Sequence, residues 1–118
     1  MKDQHKKQFK QEIGFTPPGA MLAEKFGESF SNRIAEYHHD IWNEEGAIPL
    51  KFRYMIALAT AIFDENDKRS KLELRKAINH GATKEELLEV LKQQVWMKGA
   101  PTLVQIAPLL EMIDKSFE

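Results

Sequence analysis

Three observations predict an all-α fold. Apolar residues recur at three- and four-residue intervals along most of the 118-residue chain. The breaks between those stretches carry helix caps and stops. Apolar runs such as 56–62 are rich in Ala and Leu rather than in β-branched residues, so nothing reads as a strand. The length suits one domain, residues 1–118, with a real core, built from about six helices.

Residues 1–13 are rich in Lys and Gln and predict a loosely packed helix ending near Gly14. Thr16-Pro17-Pro18-Gly19 is a turn, and either proline suits the first position of a short helix around 20–26. From Glu28, the residues Phe30, Ile34, Tyr37 and Ile41 mark one apolar face of a helix expected to stop at Gly46. Pro49 announces the next start. Residues 50–63 are apolar nearly all round apart from Lys51, Arg53 and Thr60, so this helix is expected to be buried on several sides or covered by a partner subunit. A polar loop, 64–67, follows, with Asp67 as its expected cap. The helix over 68–80 turns Leu72, Leu74 and Ile78 inward and stops at Gly81.

Thr83 with Glu86 three residues later forms a capping-box pattern that opens a helix to Lys98, closed by Gly99. Leu87, Leu88, Leu91 and Val95 share one side of it. Pro101 opens the last helix, striped by Leu103, Ile106, Leu110 and Ile113, and Pro108 should kink it or start a new one.

Composition excludes several functions. Charged residues are 30% and apolar residues 42%, a globular balance, and the net charge of −1 supplies no basic field for nucleic acid or anionic lipid. The chain has no cysteine, which removes disulfides, thiolate metal sites and thiol nucleophiles together. No apolar run reaches the ~20 residues of a membrane span, and residues 1–12 lack the apolar core of a signal peptide. No membrane partner and a cytoplasmic location are the expectations. There is no cofactor signature.

Residues 48–113 resemble the carboxymuconolactone decarboxylase-like family, which includes alkylhydroperoxidase D. The resemblance rests on Arg53 early in the apolar helix, on Ala77 and Gly81, on Thr83, Glu85 and Glu86, and on Gly99 and Pro101, in order and at the right separations. It implies a helical domain assembled as a homo-oligomer, a hexamer of dimers or trimers. The family's chemical positions are altered here. Glu73 falls on the family histidine, Asn66 and Arg69 on the two cysteines of the peroxidase branch, and Tyr54 on that branch's activating glutamate. A dithiol mechanism needs a thiolate and a proton acceptor for it, so disulfide-linked peroxide reduction has no residues to carry it.

The decarboxylase branch does without the cysteine pair, and the resemblance implies a lyase-type reaction on a small carboxylated, lactone-like molecule. In that reading Arg53 holds the carboxylate bidentately. Glu73 moves the proton, as a desolvated carboxyl is able to do. Tyr54 and Trp96 shape the cavity. Three of these have a plainer reading beside them: Arg53 in a structural ion pair, Glu73 paired along its helix with Arg69 and Lys76, and Trp96 as a packing or interface anchor. If the plainer readings hold throughout, the chain is a non-catalytic oligomeric binding or scaffold protein that keeps the fold.

No metal site is expected. His38 and His39 are adjacent, so on a helix they point about 100° apart, and no third ligand is placed by the sequence. Residues 64–75 imitate a calcium loop but have Arg69 where a glycine is needed and Arg75 where a bidentate Glu is needed.

Overall fold

The computed structural model describes residues 1–118, and every regular element in it is a helix. The chain forms two compact units, Met1–Ala47 and Ile48–Glu118. There are eight α-helices and one 3-10 turn rather than about six helices. The difference arises where the 18–26 segment tightens into a 3-10 turn at Ala23 and where the last segment restarts at Ala107, beside Pro108.

The first unit holds α1 (Asp3–Ile13), α2 (Pro18–Leu22), a 3-10 turn (Ala23–Phe26) and α3 (Glu28–Trp42). Two sequence expectations are corrected here. The first concerns α1, which is well packed: Phe9 and Ile13 are essentially fully buried and His5 lies inside with them. Three buried residues at spacings of four hold it, despite the charge around them. The second concerns the face of α3. Its buried residues are Ser31, Ala35 and His39, while Phe30, Tyr37 and Ile41 are exposed. Periodicity correctly finds an apolar stripe, but the side turned inward is the small, polar one. The helix ends at Trp42, short of Gly46, because Asn43 adopts an extended conformation. Its Nδ2 donates to Asp40 O at 2.7 Å and its Oδ1 accepts from Glu45 N at 2.9 Å, an alternative to further helical bonds.

The second unit is built on α4 (Leu50–Phe63), against which α5 (Asp67–Asn79) and α6 (Lys84–Lys98) pack. Tyr54, Leu58, Ala61 and Ile62 form the inner face of α4 and meet Leu74 and Ala77 of α5 and Leu87 and Leu91 of α6 in the core. The outer face of α4 exposes Phe52, Ile56 and Phe63. This helix is therefore buried on one side only within the subunit.

The turn after α4 places Glu65 at φ 57°, and Asn66, not Asp67, caps α5: its Oδ1 accepts from Arg69 N at 3.0 Å. The predicted capping box of α6 is complete. Glu86 N donates to Thr83 Oγ1 at 3.1 Å and Thr83 N donates to Glu86 Oε1 at 2.9 Å. Gly99, at φ 100°, ends α6. The last segment divides into α7 (Thr102–Gln105) and α8 (Ala107–Ser116). Pro108 sits in the first turn of α8, where its missing N–H costs nothing.

Candidate functional site

The α4–α5 corner brings together Asn66, Arg69 and Glu73, three of the four positions singled out by the family resemblance. Asn66 caps α5, Arg69 follows one turn later, and Glu73 one turn after that, so all three lie along one side of the same helix. Glu73 has no exposed surface. Its Oε1 accepts from Arg69 Nε at 2.9 Å and from Lys76 Nζ at 3.4 Å. Its second oxygen, Oε2, is buried without a hydrogen-bond partner. Lys76 is itself buried, and that desolvation pushes its pKa below the ordinary lysine value. Glu73 opposes the shift and Arg69 adds to it.

Arg69 is the open member of the cluster, with its side chain 57% exposed. It borders a groove of about 470 Å³ lined by Ala57, Thr60, Phe63, Asp64 and Asn66 among others. A guanidinium at the mouth of a half-apolar groove, backed by a buried carboxylate, is suited to a small anion.

The remaining predicted site residues are dispersed. Arg53 is half-buried in the first turn of α4, and its Nε donates to Ile48 O at 2.7 Å, closing the loop that leads into the helix. Tyr54 is a core residue with no exposed surface, its ring 4.6 Å from that of His80. Trp96 is 86% exposed on α6. Arg53, Tyr54 and Trp96 all lie outside the lining of the Arg69 groove. Sequence reasoning singled out Arg53 as the anion holder because a charge on an oily helix stands out. Arg69, which the sequence reading aligned with a family cysteine, is the arginine that lines this groove.

A second groove, of about 460 Å³, lies near the C-terminal end of α4 and is lined by Glu65, Asp67, Lys98, Thr102, Val104 and Gln105. Lys98 Nζ organises its floor, donating to Ile62 O at 2.9 Å and to Gln105 Oε1 at 2.6 Å and pairing with Glu65 at 3.2 Å. Its lysine is consumed by these bonds, which tie α4, α6 and α7 together.

In the first unit, Glu12 of α1 reaches His39 of α3, with Oε2 3.1 Å from the imidazole Nδ1. His38 joins this pair, so that ligand-type atoms from two helices, one each from Glu12, His38 and His39, lie within 4.8 Å of one another.

Residues 28–112 match the sequence profile of the carboxymuconolactone decarboxylase family. The chain belongs to that family. A carboxymuconolactone decarboxylase fold is also seen in the structural comparison. A crystal structure of a protein provisionally assigned as a carboxymuconolactone decarboxylase, from Burkholderia xenovorans LB400, superposes with a TM-score of 0.76. The match covers 98% of this chain and 92% of the other at 15% identity, a likeness of fold. No curated protein sequence matches the chain. In this family member Asn66, Arg69 and Glu73 form a row along α5. No helix is long and apolar enough to cross a membrane.

Proposed function

We propose that this carboxymuconolactone decarboxylase family member binds a small carboxylated, lactone-like molecule in the groove at Arg69 and acts on it by lyase-type chemistry. The observation that carries the reading is the direct contact between Arg69, at the groove mouth, and the buried Glu73 behind it. Arg69 takes the place that the sequence suggested for Arg53 as the anion holder. In such a reaction the bond to the departing carboxylate breaks, CO₂ leaves, and the electron pair left on carbon takes up a proton. Lys76, its proton loosened by burial, and Glu73, its hydrogen-bonded acceptor, form the only buried proton-handling pair next to that groove.

The complete burial of Glu73 favours a second reading, binding without turnover, because a carboxylate held by two cations is also a sound structural element. A thermal-shift screen of carboxylic acids and lactones, followed by measurement of CO₂ release for each hit, separates the two. A stabilising ligand lost on Arg69→Ala supports the site, and CO₂ release lost on Glu73→Gln supports chemistry. Ligands that stabilise Arg69→Ala as well as the parent protein would remove the groove from consideration.

The subunit also carries the marks of self-assembly. Phe52, Ile56 and Phe63 on α4, Trp96 and Met97 on α6, and Leu103 and Val104 on α7 are all exposed. An apolar surface of this extent is uncommon on a protein that remains alone in water. We infer a homo-oligomer closed over these residues, with a hexamer as the expected form. A single monomeric peak in size exclusion with light scattering at micromolar concentration would overturn this.

A further inference from the structure

The first unit contains a cluster that the proposed reaction does not use. Glu12, His38 and His39 each present a ligand atom, and these atoms all lie within 4.8 Å of one another. We propose that Glu12, His38 and His39 form a binding site for a divalent first-row metal ion, zinc above all, which clasps α1 to α3.

The donor set indicates the class of ion. Two imidazoles and one carboxylate suit zinc and its neighbours, whereas calcium and magnesium take oxygen ligands. The spacing is also suitable. Two ligands on a tetrahedral zinc with bonds of about 2.0–2.1 Å stand roughly 3.3 Å apart, and Glu12 Oε2 and His39 Nδ1 are already 3.1 Å apart. All three ligand atoms lie within 4.8 Å of one another and belong to only two helices, a span that small side-chain rotations are able to close.

The surroundings supply the independent observation. The Glu12–His39 hydrogen bond uses one nitrogen of His39, while His39 Nε2 is buried without a hydrogen-bond partner. His5, only 4% exposed, stacks on His39 at 5.6 Å; neither ring nitrogen has a hydrogen-bond partner, and Nε2 has only a 3.9 Å contact with Glu36 Oε1. Leaving buried polar nitrogens unbonded is costly, so this unit holds more donor capacity than its own hydrogen bonds use. Phe9 packs against the rings of both His38 and His39, at 4.8 and 4.6 Å, and walls one side of the site. The arrangement leaves a fourth position on the ion for water or for His5.

The test uses the full chain without a histidine tag, stripped by a chelator and titrated with zinc by calorimetry. One zinc per chain is expected, together with a rise in Tm. Intense visible bands of four-coordinate cobalt are expected when Co²⁺ replaces zinc. Glu12→Gln and His38→Gln, both at half-buried positions, should each weaken zinc binding about tenfold or more, since even outer-shell partners are worth that much. No zinc uptake by the parent protein overturns the site. So do a pale six-coordinate cobalt spectrum and equal binding by parent and both variants. The calorimetry and cobalt measurements on the parent protein stand even where a variant fails to fold, and neither depends on the Arg69 groove.

Discussion

Replacing Glu73 by alanine tests whether the cluster of α5 is held by charge pairing in a dry interior. Glu73 is fully buried, and the Lys76 side chain that it contacts at 3.4 Å is only 4% exposed. Removing the carboxylate leaves that ammonium buried without its ion-pair partner, which costs about 3–5 kcal/mol. The contact with Arg69 adds less than about 1 kcal/mol, because a half-exposed guanidinium is resolvated when its partner leaves. The loss is a large part of the roughly 5–15 kcal/mol that stabilises a domain of ordinary size. Urea unfolding followed by far-UV circular dichroism should show the midpoint falling with the slope unchanged. Glu73→Leu combined with Lys76→Met removes both charges and is expected to return stability to within about 1–2 kcal/mol of the parent protein, as replacements of buried pairs often do. A loss below about 1 kcal/mol for Glu73→Ala at constant slope would refute the reasoning, since it would mean that water reaches Lys76.

Thr83→Ala removes the hydroxyl that accepts from Glu86 N and should cost about 1 kcal/mol, read as a lower Tm. The Glu86 carboxylate is held below its ordinary range, first by the Thr83 backbone N–H and then by Lys51. Its stabilising contribution is therefore present above its unfolded pKa of about 4.5 and is lost as pH falls through the lower folded value. Glu86→Gln should flatten that acid limb of the stability profile, and an unchanged limb would place the proton uptake elsewhere. Trp96→Asp and Val104→Asp, at positions 86% and 81% exposed, should reduce oligomer size with the subunit still helical. Unaltered assembly in both would move the interface away from α6 and α7.

The helices and their punctuation were legible in the sequence because they depend on local physics. The Thr83–Glu86 box, the Gly99 stop and the restart at Pro108 all depend on backbone groups within a few residues. The pairing of Glu73 with Arg69 and Lys76 was legible for the same reason, since spacings of four and three place side chains on one helix face.

What only tertiary structure decided is which face of each helix turns inward and which distant residues meet. The stripe of Phe30, Tyr37 and Ile41 has a clear period, yet α3 buries Ser31, Ala35 and His39 instead. A period reports that a face is apolar and not what covers it. Arg53, conspicuous in sequence, donates its Nε to a loop carbonyl, while the arginine lining the groove is Arg69. Glu12 meets His38 and His39 across 26 residues of chain, a contact set by the packing of α1 on α3 and by nothing local to either. Local spacing determines helices and the pairs along them; the meeting of separate helices is fixed by the burial of whole faces, which is a property of the folded chain.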